Sequence, residues 1–218
     1  MISHAEENYL KAIYHLSQSE ENGVSTNAIA NRMETKASSA TEMVKKLSEK
    51  GYIDYQKYQG ATLTQKGIMA ATMVIRKHRL WEVFLVEKLN FSWDEVHDVA
   101  EELEHIKSEK LINKLDAFLE FPTEDPHGDP IPNAEGKIVE SAKMLLAEMN
   151  VGTLCICVGV KDTSVEFLQY LDRQKIALGT SLKIINKESF DHSLTLEIHK
   201  KELIISEMVA KNIFVKKA

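Results

Sequence analysis

The sequence runs to 218 residues, enough for one large domain or roughly two to three small ones. With 44% apolar residues it can build a real core, and its formal net charge of -6 gives no global basic bias that would announce a nucleic-acid partner. Any DNA-binding face must therefore be local. No apolar run approaches the roughly 20 residues of a spanning helix, and nothing at the N-terminus reads as a signal peptide, so a cytoplasmic chain without a membrane partner is expected.

In chain order, residues 5–17 carry Tyr9, Leu10, Ile13 and Leu16 at helical spacing. Residues 25–31 form a short helix with Ile29 and Ala30 turned inward. Residues 36–50 form a longer one on Met43, Val44 and Leu47, stopped by Gly51 at the C′ position. Residues 52–55 and 61–63 flank a polar tip and read as an antiparallel pair, after which Thr64 caps a new helix. From Gly67 to Gly128 there is no glycine, which suits long helices. All four prolines, Pro122, Pro126, Pro130 and Pro132, then fall within residues 121–133 and mark a boundary. A further helix is expected over residues 138–149, followed by short strands near 153–160 and 195–198. Cys155 and Cys157 alternate with apolar residues, which places both on one face of a strand. They are too few for a zinc cage and read as buried strand residues without a metal role.

Helix, short helix, turn, longer helix and β-wing is the order of a winged helix-turn-helix. Its recognition helix opens Lys36-Ala37-Ser38-Ser39-Ala40-Thr41-Glu42. Small polar side chains let such a helix enter the major groove, where Ser38, Ser39 and Thr41 can reach base edges or phosphates. Lys45 and Lys46 lie further along, and Lys57 lies in the wing. From Lys36 to Lys66 six lysines face Glu42, Glu49 and Asp54, a positive patch in an acidic chain. Glu42 either accepts from a cytosine amino group or faces solvent.

The next region carries metal chemistry. A helix over residues 91–106 is expected, capped by Ser92 with Glu95 three residues on. In it His97, Glu101, Glu104 and His105 fall at i, i+4, i+7 and i+8, on one face. An earlier helix sets His78 and Glu82 at i, i+4, and two such faces can converge on one or two cations. Imidazole and carboxylate without thiolate suit Mn²⁺ or Fe²⁺ better than structural zinc. An isolated Glu-x-x-Glu-His is more often a solvated, salt-bridged surface; the second His/Glu face argues for metal.

Four stretches taken together resemble the diphtheria-toxin-repressor family of metal-dependent regulators, including its manganese-responsive branch. They are Glu7-Asn8-Tyr9-Leu10-Lys11-Ala12-Ile13-Tyr14, Arg76-Lys77-His78-Arg79-Leu80-Trp81-Glu82, His97-Asp98-Val99-Ala100-Glu101-Glu102-Leu103-Glu104-His105, and Phe121-Pro122 through Pro126-His127-Gly128. The resemblance implies a mainly α chain with a winged helix-turn-helix over residues 1–64. A helical metal-binding and dimerisation domain would follow over residues 65–149, and a β-rich SH3-like (FeoA-type) domain over residues 150–218. It implies a homodimer that binds palindromic double-stranded operator DNA when loaded with metal and represses metal-homeostasis genes, with no catalytic residues and no small-molecule substrate.

Carried over position by position, the resemblance assigns a primary site to Glu101, Glu104, His105 and Asn8, joined by His78 in the manganese branch. An ancillary site would use Glu82 and His97. Asp125 and His127 stand where some manganese regulators place ligands, and Asp162 and Glu166 are candidates from the C-terminal module. Two positions depart from the pattern. Asn8 replaces the aspartate of the manganese branch or the methionine of the iron branch, and Glu101 replaces the iron branch's cysteine. The second favours Mn²⁺, with Fe²⁺ the alternative. A cation shared by Asn8 and the later ligands would tie the DNA-binding domain to the dimer domain and set two recognition helices about one DNA turn apart.

Two other readings compete. A di-iron-type metalloenzyme pairs glutamates with matching Glu-x-x-His motifs, but Glu101-x-x-Glu104-His105 has no clear partner of the same form, and the winged helix would be left unexplained. A metal-independent DNA-binding regulator would leave the His/Glu faces without a purpose.

Overall fold

A computed structural model describes residues 2–20, 23–56, 59–139 and 142–218. The chain divides into two compact units, Met1–His78 with Glu101–Asn113 and Ile131–Ile138, and Arg79–Ala100 with Lys114–Pro130 and Val139–Ala218.

The first unit opens with helices α1 (His4–Ser17), α2 (Thr26–Arg32) and α3 (Ala37–Glu49) and the strands β1 (Ile53–Gln56) and β2 (Gly60–Leu63). A capping box starts α1: Glu6 N donates to Ser3 Oγ while Ser3 N donates to a Glu6 carboxylate oxygen. Ser25 caps α2 by accepting from Ala28 N. Gly51 follows α3 at φ +72°, the left-handed C′ position that needs no Cβ. β1 and β2 pair antiparallel from Ile53↔Leu63 to Gln56↔Gly60, and Val24 adds a bridge to Ala61. Tyr9, Leu10, Ile13, Ile29, Val44, Leu47 and Ile53 fill one core beneath these elements. The winged helix-turn-helix expected from the sequence is therefore present, with each helix within a residue or so of its expected ends.

Thr64 Oγ1 accepts from Gly67 N at the start of α4 (Gln65–Leu89). The boundary between the units falls within α4, within α5 (Val96–Leu103) and within α6 (Glu109–Phe118). The helix expected over residues 91–106 is shorter at both ends. Glu95 Oε2 accepts from both the backbone and the hydroxyl of Ser92, so the capping pair is real, but it closes a turn and the helix starts only at Val96. It stops at Leu103, so Glu104 and His105 lie in the following turn and not on a helical face with His97 and Glu101.

The second unit carries an antiparallel sheet of order β3-β8-β4-β5-β6-β7. Its strands are β3 (Met144–Leu145), β4 (Leu154–Val160), β5 (Ser181–Lys187), β6 (Leu194–Ile198), β7 (Lys201–Ile205) and β8 (Ile213–Lys217), with α7 (Val165–Arg173) and the short α8 (Glu207–Ala210) between them. The helix expected over residues 138–149 is absent among the described residues. Met144 and Leu145 pair with Val215 and Phe214, and Leu146–Glu148 form one 3-10 turn. Cys155, Cys157, Leu168, Leu171, Leu182, Ile184 and Val215 are fully buried in this module's core. The two cysteines share the inner face, as their alternation predicts.

Candidate metal centres and nucleic-acid interface

In the second unit, one turn of chain after the prolines begin brings two acids and an imidazole together. Ligand atoms of Glu82, Asp125 and His127 all lie within 4.8 Å of one another, and all three residues are buried. Asp125 Oδ1 accepts from the backbone N–H of His127 at 2.8 Å and of Asp129 at 3.0 Å, so its own turn fixes the carboxylate. His127 Nε2 donates to the Trp93 carbonyl at 2.7 Å. That bond leaves Nδ1 facing Glu82 Oε2 at 3.7 Å. His97 Nδ1 stands 3.7 Å from the other oxygen of Glu82, from an exposed position.

The loop holding His127 is seated by Gly128. A Cβ there would stand 2.1 Å from the Val158 carbonyl oxygen, and its φ of +82° also favours glycine. Val160 N donates to the His127 carbonyl at 2.9 Å, so β4 anchors the same loop.

Burial and the neighbouring Glu82 and Asp129 push the Asp125 carboxyl up to about 7, against the pull of Arg79 and His127. Burial lowers the basicity of His127, but Glu82 and Asp125 outweigh it and raise the imidazole to about 9. Arg79 is the fixed cation here. Its Nε lies 3.4 Å from Asp125 Oδ2 and a terminal nitrogen 3.4 Å from Asp129 Oδ2, and it also donates to the Pro130 carbonyl. Acids and imidazole on a dry framework, with a ring nitrogen fixed outward, fit a divalent cation with oxygen and nitrogen ligands.

The first unit holds a group of its own. Glu104 is 1% exposed at its side chain. His78 Nδ1 lies 2.7 Å from Glu104 Oε2 and, the acid being ionised, donates to it. Lys11 Nζ donates to both Glu104 oxygens, at 2.7 and 2.8 Å, and to Glu101 Oε1 at 3.2 Å. Burial alone would raise Glu104, but His78 and Lys11 hold it below the usual carboxylate range. His105 Nδ1 meets Glu7 Oε2 at 2.6 Å, its other face stacked on the His4 ring at 4.4 Å. Asn8 Oδ1 is buried and accepts no hydrogen bond, the one orphaned acceptor of α1 among the described residues.

The ligands expected from the sequence thus fall into two sets: His78, Glu101, Glu104 and His105 with α1 in one unit, and Glu82, His97, Asp125 and His127 in the other. Asp162 and Glu166 join neither; Asp162 Oδ1 accepts from Ser164 N ahead of α7, and Glu166 is exposed in its first turn. Sequence reasoning passed over Lys11, Arg79 and Trp93. Lys11 stands at i+4 from Glu7, the one local signal that it belongs with acids.

On α3, Ser38, Ser39, Glu42 and Lys45 are exposed, and the first turn has no side-chain cap from Lys36. Thr41 donates its hydroxyl to the Ala37 carbonyl at 2.7 Å, so toward a ligand it offers an acceptor and a methyl group. Lys46 and Lys50 reach back to Glu6 Oε1 at 3.1 and 2.6 Å. Against the effect of burial, the bonds from Lys50, Ser3 and Lys46 hold Glu6 down at about 2. Lys46, expected on a phosphate, is thus shared with the fold. Lys57 lies outside the described residues.

An exposed recognition helix in a winged helix-turn-helix and buried acid–imidazole groups that could hold a cation, carried on one chain, are the features of a metal-responsive transcription regulator. Residues 1–61 match the family described as "Iron dependent repressor, N-terminal DNA binding domain" and residues 64–133 its "metal binding and dimerisation domain"; residues 144–217 match the FeoA domain. A solved manganese-dependent transcriptional repressor in complex with manganese superposes at TM-score 0.84 with 34% identity, covering 98% of this chain and 100% of that one. The HTH-type transcriptional regulator MntR of Oceanobacillus iheyensis is 33% identical over 119 residues, 55% of this chain and 80% of that protein. The iron-dependent repressor IdeR of Mycobacterium leprae is 38% identical over 128 residues, 58% of this chain and 54% of that protein. The chain belongs to the iron-dependent repressor family of metal-dependent transcriptional repressors, the diphtheria-toxin-repressor relatives, and its C-terminal sheet is their SH3-like module. No described helix is long and apolar enough to cross a membrane.

Proposed function

We propose that this chain is a manganese-activated repressor that binds a palindromic operator as a homodimer, works in the cytoplasm where that DNA is, and controls genes of metal homeostasis. The observation that carries the metal assignment is the buried Glu82–Asp125–His127 group with its tautomer fixed by Trp93. Glu82, Asp125 and His127 would hold the ion, with His97 completing the set; Asp162 and Glu166 stay as further candidates. A divalent ion supplies the positive charge that two opposed buried carboxylates need in order both to ionise. Arg79 holds Asp125 in place, and the Trp93 carbonyl, by accepting from Nε2, keeps His127 Nδ1 turned toward Glu82, where it would give up its proton on taking an ion.

His78, Glu101, Glu104 and His105, with the Asn8 amide oxygen, are proposed as a second group whose occupancy fixes α1. The orphaned Asn8 acceptor supports that placement. Donors limited to oxygen and nitrogen favour Mn²⁺, with Fe²⁺ second. On the DNA side, Lys36, Ser38, Ser39, Thr41, Glu42, Lys45, Lys46 and Lys57 are the proposed contacts, the serines and Thr41 to bases and the lysines to phosphates. Metal and operator binding are then coupled in both directions.

Fluorescence-anisotropy titration of operator DNA with Mn²⁺, Fe²⁺ and Zn²⁺ separately tests this. Tight binding with Mn²⁺, reversed by chelator, is expected. Operator binding that ignores chelator would overturn metal activation.

A further inference from the structure

Lys11 sits where a cation would be most useful to the first group. An ammonium has three N–H donors, and here three carboxylate oxygens accept from it: two of Glu104 and one of Glu101, all within 3.2 Å. The lysine side chain is only 15% exposed and the Glu104 side chain 1%, so solvent does little to loosen their contacts, whereas Glu101 is 51% exposed and its bond is open to solvent. The same helix contributes Glu7, which engages His105 at 2.6 Å and faces Lys77 at 3.8 Å.

We propose that Lys11 is a built-in cation that occupies the Glu101–Glu104 cradle and competes with a divalent ion for it. The charge count supports this. With Glu7, Glu101 and Glu104 ionised and Lys11 and Lys77 charged, the group carries a single net negative charge, too little to match a divalent ion. Without the Lys11 ammonium it carries two. An ion that takes both Glu104 oxygens must also displace Lys11, which donates to each of them. The Lys11 contacts also do part of the work expected of a metal: they tie α1 to the turn after α5 without one. The first group therefore fills only at higher metal concentration, and the Glu82–Asp125–His127 group is the tighter site. This rests on the proposed metal-activated function.

The test counts bound Mn²⁺ by the electron paramagnetic resonance signal of the unbound ion, in the full chain carrying Glu82→Gln and His127→Gln so that the second group is disabled. In that background Lys11→Met is expected to bind Mn²⁺ at least ten times more tightly than the parent, while Lys11→Arg matches the parent. Thermal melting of each variant without metal controls for folding, and Lys11→Gln replaces Lys11→Met if the latter does not fold. Equal or weaker Mn²⁺ binding in the folded neutral variant overturns the role of Lys11 alone. A chain with Glu82 and His127 intact that binds neither Mn²⁺ nor operator overturns the functional reading, and this inference with it.

Discussion

Around Glu104 the acids meet an ammonium directly, through bonds of 2.7 and 2.8 Å from Lys11, whereas Glu82 and Asp125 are buried together with Arg79 no nearer to Asp125 than 3.4 Å. The same side-chain types therefore end up in opposite states. Glu104 is held ionised, below the usual range, and Asp125 is pushed up to about 7. Ligand type alone does not make a cation site. What matters is how closely the protein's own cations already meet the acids, because a buried pair of carboxylates met only at longer range keeps part of a desolvation cost that an arriving ion relieves.

The sharpest way to break this contrast is to remove the imidazole of the Glu82–Asp125–His127 group. His127→Ala is expected to lower Mn²⁺ affinity by at least the roughly 100-fold that loss of a supporting ligand contact can cost, and to abolish metal-activated operator binding. Isothermal titration with Mn²⁺ reads the first effect, anisotropy the second. Metal response at wild-type levels would move the centre elsewhere.

Next in size is Gly128→Ala, which touches no ligand. The added Cβ must push back the Val158 carbonyl, 2.1 Å away, and accept a φ of +82°. A stability loss of about 1–3 kcal/mol and a roughly tenfold weaker site are expected, measured by thermal melting and by the same titration. The corresponding change at Gly51, where a Cβ meets nothing within 4 Å, should leave Mn²⁺ affinity unchanged.

On the DNA side the contrast is between two neighbouring lysines. Lys45→Ala should reduce the slope of log affinity against log salt by about one with no change in melting temperature. Lys46→Ala should reduce it less and also cost up to about 1 kcal/mol, because Lys46 helps hold Glu6. Identical behaviour of the two variants would show that the Glu6 contact is unimportant in solution.

The smallest effect is on pH. Glu6 is depressed from 4.5 to about 2, so the stability it contributes is present above pH 4.5 and is lost as the pH falls toward 2. The difference in melting temperature between wild type and Glu6→Gln should therefore shrink steadily over that window. A constant difference would mean that Glu6 titrates normally.

The winged helix was legible because its signals are local: capping residues, a C′ glycine and apolar spacing within single helices. Two segments were not. Residues 138–149 carry a helical pattern, but Met144 and Leu145 pair with Val215 and Phe214, some seventy residues on, and such a partner leaves no trace in the segment itself. The helix expected over residues 91–106 stops at Leu103, where Glu104 turns to meet Lys11 and His78. Glu104 and His105 were expected on a shared helical stripe with His97 and Glu101, but they stand in the turn that follows α5. His97 and Glu101, four residues apart within α5, do share a helical face as their spacing predicts. Lys11 stayed hidden because a lysine on an amphipathic helix looks like solvated surface until its acidic partners, some ninety residues away, are known.

Cys155 and Cys157 have a consequence for how such a regulator ages in an oxidising cell. Both are fully buried in the C-terminal sheet, with thiols pushed up by that burial to about 11. At neutral pH only about one in ten thousand would be the nucleophilic thiolate, and neither contributes to the acid–imidazole groups. Peroxide therefore finds no cysteine to attack at the proposed metal groups. If those groups hold the metal as proposed, peroxide at levels that oxidise exposed, low-pKa cysteines should leave the metal response of this chain unchanged, which titration of operator binding before and after treatment checks.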